Sequence, residues 1–267
     1  MTERKVAIVT GASAGIGLAT AEALAARGYA VVLAARRADR LEEVADRCRR
    51  AGGEAVVTPT DVAEREQVEA LVATTVEKCG RVDVMVNNAG FGVSARVHET
   101  SEEEMADIFA VNVFGVFHGC RAVAPVMMRQ RSGHIFNVSS VVGKRGTPFH
   151  GAYCATKFAV AGLTDSLRVE MMPYDVRVTC VCPALTRTEF FEKSRRQRAA
   201  GSSFRRLRRM MPASVVGRKI AATVGKRRPE IVFGLGGKLL VKLSALSPRL
   251  VDRMMKLYHD DLVRKLP

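Results

Sequence analysis

Three groups of residues in this 267-residue chain are of types that do chemistry at their spacing. The first is Thr10-Gly11-Ala12-Ser13-Ala14-Gly15-Ile16-Gly17, which follows a short apolar run and leads at once into a helical pattern. Gly11 permits a tight turn, Gly15 lets a pyrophosphate approach the backbone, and Gly17 lets helix and strand pack closely. The helix that starts there turns its first N–H groups and positive dipole end toward a phosphate. The second group is Arg36 and Arg37, at the end of the next apolar run. A site that prefers NAD usually carries a carboxylate here for the ribose 2′-hydroxyl. Two guanidinium groups and no acid suit a 2′-phosphate instead. Solvated loop arginines are common, but this position makes NADP(H) the better reading. The third group is Tyr153 and Lys157, four apart on a helix and so on one face. A phenol exchanges its proton near pH 10, and a cation nearby favours the phenolate.

These residues need a frame, and the first 186 positions supply one. Short β-branched runs at Lys5–Thr10, Ala30–Ala35, Glu54–Thr58, Val82–Asn87, His134–Ser139 and Val176–Cys182 alternate with helical patterns. The helical patterns lie near 15–27, 39–51, 64–79, 102–131 and 151–172. That alternation predicts βαβ units, a parallel sheet and an α/β fold. The strands are apolar almost throughout (VAIV, AVVLAA), as when helices cover both faces. The expectation is a doubly wound parallel sheet, a Rossmann fold in three α/β/α layers, with ligands beyond the strand C-termini. A helix near 213–224 and a strand at Glu230–Gly234 complete a single domain over 1–234.

With Asn87-Asn88-Ala89-Gly90 and Tyr153-Cys154-Ala155-Thr156-Lys157, the TGxxxGxG turn resembles the short-chain dehydrogenase/reductase family. Asp61-Val62 after the third strand, Asn112 and Asn137-Val138-Ser139-Ser140 extend the likeness, in order, over roughly residues 5–190. The resemblance implies a catalytic tetrad of Asn112, Ser140, Tyr153 and Lys157. The family's Ser-to-Tyr spacing selects Ser140 over Ser139. Carbonyl reduction then places a proton from Tyr153 on the oxygen, which Ser140 holds while charge develops. Lys157 lowers the Tyr153 pKa and bonds the nicotinamide ribose, and Asn112 anchors a water that relays protons. The resemblance also implies that Asp61 and Val62 meet the adenine and that Asn88, Ala89 and Gly90 floor the cofactor site. Pro183 and Thr188 would lie at the nicotinamide, with Ala184 where the family usually has glycine. Asn87 reads as a tie between strands, and His150 as a loop residue.

Charge divides the chain. The net +15 falls wholly after residue 186, where 21 basic residues face 6 acidic ones. Residues 187–211 read as the family's substrate lid, with Phe190, Phe191, Met210 and Met211 among arginines, which suits an apolar substrate. Residues 235–267 form a basic amphipathic tail. Ser247-Pro248 is an N-cap and first-turn proline, followed by Leu250, Val251, Met254, Met255, Leu257, Tyr258 and Leu262 at helical spacing. The tail either lies on an anionic membrane surface or packs on its own fold or a second subunit. Nucleic acid is disfavoured, because the tail interleaves aliphatic rather than stacking aromatic residues.

Composition excludes disorder and disulfide-stapled folds. Six cysteines without CxxC spacing suit a reducing cytoplasm, and Cys180 and Cys182 read as core rather than metal ligands. No secretory signal pattern opens the chain. The expected protein is an NADP(H)-dependent oxidoreductase of carbonyls and secondary alcohols, acting on a lipophilic small molecule. The resemblance implies a homo-oligomer, dimer or tetramer. The alternative is an NADP-binding peripheral membrane or regulatory protein without turnover.

Overall fold

Each β-branched run pairs with its neighbours by the same parallel ladder, so that alternate side chains of every strand enter opposite cores. The computed structural model describes residues 4–188 and 210–264. Its strands are β1 (Val6–Thr10), β2 (Ala30–Ala35), β3 (Glu54–Pro59), β4 (Val84–Asn87), β5 (Gly133–Val138) and β6 (Val176–Cys182). A two-residue ladder joins β7 (Thr186–Arg187) to β8 (Met211–Pro212), and β9 (Glu230–Val232) completes the main sheet. The sheet runs β3-β2-β1-β4-β5-β6-β9, parallel throughout. Strand order reverses between β1 and β4, and that switch point opens a crevice at the strand C-termini.

The helices are α1 (Gly15–Ala25), α2 (Ala38–Arg50), α3 (Arg65–Cys79), α4 (Glu102–Phe109), α5 (Gly115–Gln130) and α6 (Gly151–Met171). After β8 come α7 (Ala213–Thr223), α8 (Leu235–Leu246) and α9 (Pro248–Val263). On one face, Leu24 of α1, Leu41 and Val44 of α2 and Ile220 of α7 pack on Ala7, Val9, Val31 and Leu33. On the other, Leu71 of α3, Val123 and Met127 of α5 and Val160 of α6 pack on Val6, Ile8, Val32 and Ile135. The result is the three-layer Rossmann fold that the alternation implies. Helix α2 illustrates the local cause: Leu41, Val44, Ala45 and Cys48 recur at helical spacing and are buried, while its charged residues face water.

The expected helix over 102–131 is interrupted. Ser101 and Glu104 start α4 with a capping box, and then Ala110–Phe114 forms a π-turn before α5 resumes. The apolar stretch Glu102–Gln130 is long enough to cross a membrane by length and composition. Val116, Cys120, Val123 and Met127 are buried in the core, which accounts for its apolarity. The last main-sheet strand is shorter than expected and stops at Val232.

The tail is two helices, and α9 packs on the fold through Val251 and Leu262, both fully buried. Ser247 precedes α9 with Pro248 in its first turn, but its hydroxyl caps nothing. Of the expected lid, only residues 187, 188, 210 and 211 lie within the described residues; Phe190, Phe191 and every lid arginine after Arg187 lie outside them.

Candidate active site

Every sequence-expected site residue within the described chain stands at the C-terminal end of a strand or on the helix flanking that end. After β1, Gly11 has φ +64°, and a Cβ on it would lie 2.8 Å from the Ala89 Cα. A Cβ on Gly17 would lie 2.2 Å from the Gly11 carbonyl oxygen, so Gly17 lets α1 start directly against the turn. Gly15 faces Thr188, whose Cγ2 would be 2.9 Å from an added Cβ. The segment after β6 thus folds over the glycine turn. Ile16 is partly buried and packs into the adjoining core.

The loop after β4 is tied to this turn by Thr10, the residue that opens the glycine motif. Thr10 Oγ1 accepts from Asn88 N at 3.0 Å and Ala89 N at 3.2 Å, and donates to Val86 O at 3.2 Å. Asn88 Nδ2 donates back to Thr10 O at 3.0 Å. Asn87 sits opposite Asn137 in the β4–β5 register and donates to its Oδ1 at 2.8 Å, a tie between strands as expected.

Arg36 and Arg37 flank the end of β2. Arg37 Nη2 donates to Ser13 Oγ on the glycine turn at 3.2 Å. Arg36 is largely exposed, with Nη1 3.8 Å from Asp61 Oδ2. Val62 is buried, packs against Gly115, and its carbonyl accepts from His118 Nδ1 at 3.1 Å.

The remaining residues converge beyond β5. Ser139 is held away from the crevice, because its Oγ donates to the Lys157 carbonyl at 2.7 Å. The Ser140 Oγ accepts from Val142 N at 3.3 Å and reaches Pro183 O at 3.5 Å, and the hydroxyl stands close enough to the Tyr153 phenol to lower its pKa. Burial pushes the Tyr153 phenol above its usual value, and Ser140 pulls the other way. Lys157 is 4% exposed and donates from Nζ to Val138 O at 2.9 Å, with Nζ 5.6 Å from the Tyr153 ring centre. Burial holds its pKa down at about 8. Here desolvation governs the phenol, and the ammonium is turned to a main-chain oxygen.

Asn112 lies in the π-turn, fully buried, with its side chain committed. Its Oδ1 accepts from Phe91 N at 2.9 Å, and Nδ2 donates to Phe91 O at 2.9 Å and Thr156 Oγ1 at 3.2 Å. The amide is thereby spent within the fold. His150 is the buried last residue of the loop before α6, and its Nδ1 donates to Pro148 O at 3.0 Å. Cys180 and Cys182 are buried beside Ala161, with Sγ atoms 3.7 Å apart. Glu230 nearby is paired with Lys144 at 2.7 Å.

These residues fit a dinucleotide. No side chain caps the N-terminus of α1, leaving its first N–H groups facing the crevice, and the glycine turn has no Cβ where phosphates would pass. The family profile described as short chain dehydrogenase matches residues 5–199. The chain belongs to the short-chain dehydrogenase family. Among similar family members, an uncharacterized oxidoreductase of Listeria innocua is 40% identical over 192 residues, covering 71% of this chain and 77% of the relative. One from Bacillus subtilis is 33% identical over 264 residues, covering 96% of this chain and 73% of the relative, so that likeness runs into the tail helices. A short-chain dehydrogenase/reductase from Burkholderia phymatum in complex with NAD superposes with TM-score 0.85 at 32% identity, covering 94% of this chain and 96% of that one. An alcohol dehydrogenase from Thermococcus sibiricus complexed with 5-hydroxy-NADP gives TM-score 0.76 at 33% identity, covering 86% and 96%. This short-chain dehydrogenase is accordingly an oxidoreductase that uses a nicotinamide cofactor.

Proposed function

We propose that this dehydrogenase uses NADP(H) to interconvert a carbonyl and a secondary alcohol on an apolar small molecule. The observation that carries the reaction type is the Ser140 hydroxyl beside the Tyr153 phenol, with the Lys157 ammonium 5.6 Å from the same ring. Bound nicotinamide supplies or accepts the hydride. Tyr153, protonated in its buried setting, gives its proton to the substrate oxygen. Ser140 holds that oxygen and stabilises its developing charge. Lys157 places a positive charge where the phenol becomes negative, and the Asn112 backbone positions a relay water. Gly11, Ser13, Gly15, Ile16 and Gly17 cradle the phosphates, and Asp61 and Val62 bound the adenine. Asn88, Ala89 and Gly90 form the floor, with Pro183 and Thr188 at the nicotinamide end.

The preference for NADP(H) is supported by Arg36 and Arg37, which stand at the end of β2 with no acid among the residues that close that strand. Exposed Phe114 and Phe117 before and on α5, with Phe158 and Val169 on α6, support a homo-oligomer built on those helices. The test titrates NADPH and NADH against the wild type and Arg36→Ala/Arg37→Ala. Wild type should bind NADPH at least about tenfold more tightly, and the variant should lose that margin. Equal affinities in both proteins would remove the NADP assignment. Consumption of NADPH across steroids, fatty aldehydes, ketoacyl esters and small sugars tests the substrate class. Tight binding of NADPH with no turnover on any carbonyl would favour a regulatory protein instead.

A further inference from the structure

We infer that α8 and α9 form a surface that lies on an anionic bilayer, beside the mouth of the active site. The argument starts from the rows of α9. Successive residues are about 100° apart around a helix, so neighbouring rows present neighbouring faces. One row, Val251, Met255, Tyr258 and Leu262, is buried or partly buried against the fold. The next row, Leu250, Met254 and Leu257, is exposed, Leu257 to 69%. The row beyond it is Arg249, Arg253 and Lys256, also exposed. Packing therefore uses only half of the apolar face. The other half meets solvent with a basic edge.

Helix α8 repeats this composition. Leu239 and Leu246, two turns apart on one side, are exposed, Leu246 to 84%. Lys238 and Lys242 are exposed beside them. Of the three acidic residues on the two helices, Asp252 is paired with Arg145 of the body, Asp260 with Lys256, and Asp261 is exposed near the end of α9. Exposed leucine and methionine edged by arginine and lysine match an interface of acyl chains below anionic headgroups. A second copy is a poorer occupant, because a two-fold contact sets these basic rows against each other.

The position gives the surface its use. Arg145 pairs with Asp252, and the His259 ring stacks on Phe149 with centres 5.3 Å apart and planes within 3°. Both partners lie on the loop that leads into Tyr153. A bilayer against α9 therefore lies next to the entrance of the site.

The test floats the full chain on vesicles of phosphatidylcholine alone or mixed with phosphatidylglycerol. At low salt, flotation should rise about tenfold or more with the anionic lipid and fall at high salt. Leu250→Glu/Met254→Glu/Leu257→Glu should abolish it while thermal unfolding and NADPH turnover stay at wild-type levels. Should that variant not fold, Lys238→Glu/Lys242→Glu on α8 should reduce flotation severalfold. Wild type that stays unfloated on anionic vesicles, or variants that float as wild type does, would overturn the inference. So would a dimer that the triple substitution disperses without any flotation, which would make the face a contact between copies. Flotation and unfolding are independent of the proposed substrate, so failure of either leaves the proposed reaction untouched.

Discussion

Asn112 satisfies both backbone polar groups of Phe91, accepting from its N–H and donating to its carbonyl, each at 2.9 Å. One amide thereby locks the loop after β4 to the π-turn between α4 and α5. Replacement by Ala removes both bonds, at a cost of about 1–3 kcal/mol. Urea unfolding of Asn112→Ala should show that loss. Asn112→Asp should recover part of it, because one carboxylate oxygen still accepts from Phe91 N.

Tyr153→Phe removes the proton donor and keeps the ring. Turnover should fall by about 10²–10⁴, with NADPH affinity and melting temperature close to wild type. Turnover at the wild-type rate on a genuine substrate would disprove the role of Tyr153.

Lys157 pits stability against activity. Its pKa in the fold, about 8, is below that of an unfolded lysine, so burying the charge costs stability at every pH below 8. That cost is relieved as pH rises from about 8 toward the unfolded value, where the native state has already released its proton. Lys157→Met should therefore stabilise the fold near neutrality by about 1–2 kcal/mol, once its lost bond to Val138 O is set against the relief. Turnover should be abolished in the same variant. In the wild type, kcat/KM for carbonyl reduction should decline above about pH 8 as Lys157 loses its charge, since the phenol itself titrates higher.

His134 sets the acid limit. Its Nε2 bonds Thr179 Oγ1 at 2.8 Å, its Nδ1 accepts from Gly225 N at 3.2 Å, and burial holds its pKa down at about 3. The unfolded chain takes up this proton near pH 6.5 and the native fold does not. Stability is thus full above about 6.5 and declines as pH falls toward 3. Urea midpoints at pH 7.5 and pH 5 should differ for wild type, and His134→Gln should shrink the difference.

The strand and helix order was legible because both faces of the sheet are covered, which forces apolar runs and helical periodicity into the sequence. The glycine turn and the pairing of Ser140 with Tyr153 followed from ordered motifs. The π-turn was not legible: Ala110-Val111-Asn112-Val113-Phe114 holds no Gly or Pro, and the extra residue per turn is decided by what Asn112 bonds in space. Neither was Thr10, because an anchor that bonds two amides 78 and 79 positions away looks like any strand threonine. Ser247 had the right residue type for a cap, but the turn from α8 into α9 leaves its hydroxyl without that bond. The alternative of tail on fold or tail on membrane was open in the sequence because α9 carries two apolar rows, and only the packed fold says which is buried.

The contacts of α9 with the loop before Tyr153 also set an order of assembly. Arg145 and Asp252 are 107 positions apart, and His259 comes later still. A ribosome therefore delivers the nucleotide cradle early and the braces of the catalytic loop near the end. Long-range closures of this kind are slow. A nascent chain of this protein should grip its dinucleotide well before it can turn over a substrate.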